Sequence, residues 1–595
     1  MAEALISPGV FLRENDLSQI TAGPITVGAA LIGPTVVGKP NIPTLVTSYS
    51  QFRAKFGTTF ISGGTTREYL TSQAAYNYFQ QGGTSLLVTR VASGSYSAAQ
   101  SSVIPNNIPG DILGSFELET LSVGDVMNNS FSSSAAVNQN GLLPSGSASN
   151  VRWQISQADS ASGYFTLLIR RGDDYNRSQT VLETWTNLSL DPNQNNYISY
   201  IIGDQTQTVL LDEFGQAYLQ TTGSYPNSSN YVRVKTVNYP TPNYLDPRGR
   251  PVTAYTASIP KNGSGSFNGS FSGATGPLYG CFGVTSMNLF EDIKSVESDQ
   301  ATHGAVSNIQ GIFANDYDLA INLLANKDSY LYNSIYTPGL TAQNGPSQIS
   351  ALMSTVQNRG DAIAVVDMVT YNSSITTATT AAQSYDNSYA ATYWPWVQVR
   401  STETGKLHYV PASTIVPAVY EYNDRVSAEW FAPAGLNRGG LPTVIQPERR
   451  LTVGQRNILY TAKVNPIAVF PGQGTVIYGQ KTLQARASAL DRVNVRRLLI
   501  ALKSYIGQIA QTLVFEQNTA VTRNRFLSQV NPYLQYVQQR QGLYSFRVVM
   551  DETNNTPDVI DRNLLVGAIY LQPTRTAEFI QLDFNILPTG VTFGQ

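Results

Sequence analysis

Two stretches of helix–strand alternation, set apart by residues 93–280, constrain this chain more than any other feature of its sequence. In the first stretch, residues 27–32 read as a buried strand and residues 49–57 as a short helix closed by Gly57. Residues 67–81 read as a second helix stopped by Gly82-Gly83, and residues 85–91 as the next strand. That order fits one layer of a parallel α/β sheet. The pattern resumes near residue 300. Residues 318–324 and 334–340 look like strands or strand edges, 346–359 a helix and 362–367 a strand. A parallel sheet interrupted in this way implies a domain inserted into a host fold. The α/β unit is therefore expected over 23–92 and 281–440.

The interval between them changes composition at about Ser93. It is rich in Ser, Gly, Asn and Thr and carries short apolar alternations, such as residues 151–155 and 164–169, with turn signals between them. These features predict one or two all-β domains over 93–280. Insertions at exposed loops cost the host little, so this region is expected on the outer surface.

The C-terminal part of the chain predicts an α+β module over 441–574. Its main helix is expected to start at Ser488, where Ser488-x-x-Asp491 resembles a capping box with Asp in place of Glu. Val495, Leu499, Leu502, Ile506, Ile509 and Leu513 form an apolar stripe. Arg492, Arg496, Arg497 and Lys503 are expected on the outer face. An Asn-rich turn covers 551–557. In the segment 578–586, Ile580, Leu582, Phe584 and Ile586 alternate with polar residues as in a half-buried strand. A terminus patterned this well predicts an arm, 575–595, tied into a sheet. At the other end, Pro8-Gly9 followed by Val10, Phe11 and Leu12 predicts an extended arm over 1–22.

Composition narrows the function. Charged residues are 13% of the chain, about half the usual share. So little charge suits dense packing of identical subunits. The net charge of −2 hides an asymmetry: 16 Lys and Arg face 9 Asp and Glu from Glu448 onward. That is +7 there and −9 elsewhere. An acidic protein partner is expected for the basic module, rather than nucleic acid, since no nucleic-acid motif accompanies it. The single Cys281 excludes an intramolecular disulfide framework. The two histidines, His303 and His408, lie far apart and read as ordinary residues. Asp367 ends a strand where ligand residues often sit, but with no His, phosphate loop or second carboxylate nearby it reads as a loop cap. The Gly-rich segment 435–440 lacks the Gly-Lys-Ser/Thr ending that grips phosphate, so it reads as a structural turn anchored by Trp430. No metal or cofactor is expected. No run of about 18 apolar residues predicts a membrane span, and residues 1–9 do not read as a signal peptide.

Several segments together resemble a known family: 430–439, Asn465-Pro466, 476–482, 491–498 and 553–563, with weaker likeness at 7–10, Phe56-Gly57 and Arg90-Val91. They are similar to the C-terminal signatures of contractile phage tail sheath proteins. The likeness is dense over roughly 425–595, sparse over 1–92 and 300–424, and absent in the insertion. The resemblance implies a non-enzymatic structural subunit of the virion, assembled in the host cytoplasm. It implies stacked hexameric rings of this chain around a tail tube, with baseplate and tail terminator proteins as further partners. It also implies terminal arms that cross to neighbours and complete a small sheet there, with Val10, Phe11, Leu12, Ile580, Leu582, Phe584 and Ile586 as arm residues. Arg492, Arg496, Arg497 and Lys503 are then the candidates to face the tube. The sheath of a bacteriocin-like injection system is the near alternative. An α/β enzyme with a β-rich binding domain is the distant one.

Overall fold

A computed structural model describes residues 28–578, apart from 63–64, 93–97, 104–107, 109–112, 124–149, 268–270, 273–309 and 311. Its centre is an eight-stranded sheet. The order is Thr44–Val46, Leu86–Arg90, Ala29–Gly33, Ser334–Thr341, Ile363–Asp367, Ala390–Trp394, Val464–Phe470, Gly474–Ile477. The six inner strands run parallel and the two edge strands antiparallel. The inner strands read as near-continuous apolar runs because both faces are covered. Ala30, Ile32, Ala364 and Val366 point into one core, with Ile349, Leu352 and Val356 of the helix Pro346–Arg359. Ala29, Leu31, Ile363 and Val365 point into the other, with Ala74 and Tyr78 of the helix Leu70–Gln80 and Val419 and Tyr420 of the helix Val416–Val426.

The expected helices are present. Ser48 caps Tyr49–Phe56, and Gly57, at φ 68°, closes it. The helix Pro346–Arg359 has the expected bounds. One element differs: residues 318–324 hold a helix, Asp318–Leu323, rather than a strand. A short apolar run does not reveal its own period. Here Ala320, Ile321 and Leu324 turn one face to the core, and a preceding 3-10 turn, Ala314–Tyr317, starts the helix.

The interval 93–280 is mainly β within its described residues but not all-β: it also holds a short helix, Ile198–Ile202, whose Ile198 and Ile202 pack into its core, and a 3-10 turn, Thr256–Ser258. Three strands, Val232–Val237, Phe116–Val123 and Ala98–Val103, form one sheet. Five more, ordered Val181–Ser189, Tyr164–Arg171, Val151–Asp159, Gly263–Ser266 and Phe271–Ser272, form another. They share a core of Phe116, Leu118, Trp153, Phe165, Leu167 and Val234. Trp153 crosses between the sheets to donate to Ser101 Oγ at 2.8 Å. Arg170 grips the buried Asp174 through Nε at 2.7 Å and Nη2 at 2.8 Å, and the buried Arg152 lies 3.5 Å from the same carboxylate.

The C-terminal module departs from expectation at its start. Strands Val464–Phe470 and Gly474–Ile477 belong to the large sheet, with Thr392 paired to Val464 and Trp394 to Pro466. The boundary expected at 440/441 therefore falls after Ile477. The shift in charge near Glu448 marks no change of fold. The Gly-rich segment covers the sheet's edge: Gly435 N donates to Ile477 O at 2.9 Å and Ile477 N to Gly439 O at 2.8 Å. A Cβ on Gly439 would lie 2.7 Å from Ile477 O, so the close approach requires glycine there. Trp430 instead reaches the C-terminal module, donating to Arg540 O at 3.0 Å.

That module holds the helices Val493–Gln511 and Ala520–Gln539 and an antiparallel ribbon of Leu543–Val549 with Ala568–Pro573. Leu498, Leu502, Phe526, Val530, Leu534 and Val537 form its core. The Asn-rich turn lies between the ribbon strands, where Asn555 donates to Val566 O and accepts from Val566 N.

Candidate functional site

The helix carrying the four basic candidates begins five residues later than expected. Ser488 caps only the 3-10 turn Ala489–Asp491, by accepting from Leu490 N, and Arg492 stands at the N-cap of Val493–Gln511. The apolar stripe is real, but it is one of two. Val493 and Ile500 pack into the core under the large sheet, while Leu498 and Leu502 pack into the C-terminal core. A helix that serves two cores is covered on both sides, so long polar side chains between its stripes are buried with it. This is why the expected outer face fails.

Arg497 is 4% exposed. Its guanidinium forks onto Asp424 of the helix Val416–Val426, with Nη1 2.8 Å from Oδ1, and lies 4.5 Å over the Tyr420 ring. The Tyr420 hydroxyl in turn meets that of Tyr393 at 2.8 Å. Burial acts against the Arg497 charge, but Asp424 and then Glu429 outweigh it and hold the pKa above the usual arginine range. Burial pushes Glu421 up to about 8, with Asp424 adding to the rise, and burial also raises Glu429.

Arg496, 3% exposed, donates to Ser388 O at 3.1 Å and stacks 3.8 Å over Tyr389. Arg492 binds Glu578 and lies 3.0 Å from Asp491. Of the four candidates, Lys503 is the exposed one; its Nζ donates to Tyr389 Oη at 3.1 Å. The structure thus gathers three of these residues into the joint between the large sheet and the C-terminal module and leaves Lys503 on the surface. Reversal of Arg496 and Arg497 to Glu, a direct test of a tube-facing role, would in this setting unfold the joint instead.

Sequence reasoning missed the partners Asp424, Tyr460 and Glu578. Asp424 lies 73 positions from Arg497, and nothing in the sequence signals that separation. Glu578 stands at the head of an alternating segment, a place that gives no sign of a partner so far back in the chain. The arm residues Val10, Phe11, Leu12, Ile580, Leu582, Phe584 and Ile586 lie outside the described residues, as do Cys281 and His303.

The remaining candidates for chemistry resolve into structure. Asp367 is buried and accepts from Ser413 N at 3.2 Å and from Ser413 Oγ at 2.5 Å, so it caps the turn Ala412–Thr414; burial lifts its pKa to about 7. His408 lies on the strand Leu407–Val410, and burial, then Lys406 and Arg67, lower its pKa. Among the described residues, no group of three His, Cys, Asp or Glu side chains could hold a metal, and no helix is long and apolar enough to cross a membrane.

Glu421 gives the joint a pH dependence. Its folded pKa of about 8 stands above the ordinary 4.5, so the folded state holds the proton more tightly. Its contribution is present below pH 4.5 and is lost as pH rises through about 8. Wild type should therefore lose melting temperature over this window relative to Glu421→Gln, by roughly 2–4 °C. Parallel melting curves at pH 5 and pH 8.5 for the two proteins check this, and equal shifts would exclude it.

Residues 310–483 match the phage tail sheath protein central domain, and residues 486–586 match the phage tail sheath C-terminal domain. The junction between them falls where the large sheet ends. The chain is 42% identical over 187 residues to the tail sheath protein of Vibrio phage KVP40, covering 31% of this chain and 28% of that one. It is 41% identical over 187 residues to the tail sheath protein of Enterobacteria phage T4, again covering 31% and 28%. To that of Salmonella phage ViI it is 32% identical over 210 residues, covering 35% and 33%. Each match thus spans at most a third of the relative's own length. The crystal structure of a sheath tail protein from Listeria innocua shares the fold at a TM-score of 0.50, with 10% identity and 89% of each chain covered. The two family domains thus lie in sequence order over residues 310–483 and 486–586, with their junction at the edge of the large sheet, and in this part the chain is similar to phage tail sheath proteins.

Proposed function

We propose that this protein is the structural subunit of a contractile tail sheath. Copies stack as hexameric rings around a tail tube in the virion and contract to drive the tube through the host envelope. Its role is mechanical rather than catalytic, and its partners are its own copies, the tube, the baseplate and the terminator. Residues 579–595 of one copy and 1–22 of others add as strands to the C-terminal ribbon of a neighbour.

The observation that carries this reading is the ribbon itself. Leu543–Val549 and Ala568–Pro573 pair only with each other among the described residues, which leaves two open edges. A two-stranded ribbon is marginal alone, and Tyr544 and Tyr570 stand exposed on it. The alternating segment 580–586 has the period such an edge accepts. The β-rich insertion, with a core of its own, lies on the outside of the assembly in this reading.

Negative-stain microscopy of the purified protein tests the proposal. Long tubes or rings, with the insertion visible as outer relief, are the expected result. A small globular oligomer at every protein and salt concentration would overturn it.

A further inference from the structure

Residues 574–578 cross the joint between the two family domains and are fastened there. The Glu578 carboxylate accepts from Arg492 Nε at 2.6 Å, Arg492 Nη2 at 3.0 Å, Tyr460 Oη at 2.8 Å and Gln480 Nε2 at 3.1 Å. Gln480 Nε2 also donates to Thr576 Oγ1 at 2.6 Å. The three partners come from three places. Tyr460 lies on the helix Val453–Thr461, Gln480 follows the edge strand Gly474–Ile477, and Arg492 precedes the helix Val493–Gln511. Lys481 Nζ sits 4.4 Å over the Tyr460 ring. Burial, and then the carboxylate, raise the Tyr460 pKa, so its hydroxyl stays a donor. The Glu578 side chain is only 16% exposed. Four donors on one shielded carboxylate, two of them a charged fork, make a strong and directional attachment. A loose tail would not need it.

We infer that this cluster is an anchor that clamps the root of the C-terminal arm to its own subunit, at the joint of the two domains. The inference rests on the reading that residues 579–595 leave for a neighbour, but the clamp belongs to the isolated subunit. It does two things. First, it fixes where the arm starts. Five unfastened residues after Pro573 would let residue 579 wander by on the order of 12 Å, more than two strand spacings. The clamp removes that freedom and raises the effective concentration of the arm at the neighbour's ribbon. Second, it protects the ribbon. A pull on an unclamped arm would peel Ala568–Pro573 from Leu543–Val549 one hydrogen bond at a time. With the clamp, the pull reaches Tyr460, Gln480 and Arg492 first, and through them the large sheet and the long helix together.

Trypsin reads the clamp in the unassembled subunit. Arg575 is exposed within the fastened segment, and cleavage after it releases residues 576–595 as one fragment without further Lys or Arg. Proteolysis requires local release of the chain. The release rate of that fragment, followed by mass spectrometry, is expected to rise about tenfold or more in Glu578→Ala. Tyr460→Phe, which keeps the ring and loses one donor, is expected to give a smaller rise, so the test survives if the alanine variant misfolds. Equal release from wild type and both variants would overturn the anchor. Faster release with tube formation unchanged would overturn its role in placing the arm. A wild type that releases slowly yet never polymerises would sink the sheath reading and leave the clamp standing.

Discussion

Arg497→Ala is expected to destabilise the subunit by about 3–5 kcal/mol, the range for removing one partner of a buried ion pair. The side chain is almost fully enclosed, and its fork onto Asp424 links the long C-terminal helix to a helix packed on the large sheet. Without it Asp424 keeps its desolvation cost, and Glu421 and Glu429 are near enough to oppose its charge. The cavity over Tyr420 adds to the loss. Arg497→Lys keeps the charge but not the fork, and should recover part of the stability. Asp424→Asn in the alanine background should recover part as well, because it removes the stranded charge. Equilibrium urea unfolding of the four proteins measures the set. A loss below about 1 kcal/mol in Arg497→Ala would mean that water reaches the joint and solvates Asp424.

The second large effect concerns assembly. Removing residues 579–595 is expected to abolish polymerisation and leave the subunit folded. The last described residue is Glu578, so the cut spares every described contact of the body. Unfolding stability should therefore stay within about 0.5 kcal/mol of wild type, as for changes away from packed features. Removal of residues 1–20 should act alike. Sedimentation with electron microscopy separates the two properties. Normal tubes from either truncated protein would refute the exchange of arms, whereas a truncated protein that fails to fold would show that these residues belong to their own subunit's core.

What the sequence revealed follows from the range of the forces involved. The inner strands and the helices Tyr49–Phe56, Leu70–Gln80 and Pro346–Arg359 were legible because burial on two faces and local capping leave short-range patterns. The segment 318–324 was misread because its apolar run is shorter than the span needed to tell one period from another. The boundary at 440/441 was misplaced because charge is distributed along the chain without regard to hydrogen-bond register, and the pairing of Thr392 with Val464 spans it. The basic cluster was seen as residues but placed on the wrong side. An amphipathic helix shows a single stripe to inspection, and only the presence of a second core, on the side of Val493 and Ile500, buries Arg496 and Arg497. Glu578 was visible as a letter and invisible as an attachment, since Tyr460 lies 118 positions away.

The strand Ala29–Gly33 has one neighbour from each side of the insertion, Leu86–Arg90 and Ser334–Thr341. The host sheet is therefore closed by a piece of chain that precedes the inserted region altogether, and its register is indifferent to what the chain does between those two neighbours. Doubling the length of that interval adds only about 0.6 kcal/mol of closure entropy. A longer or different segment between those two neighbours would leave the register of the host sheet as it is, and the same two junctions offer a place to graft a foreign binding domain.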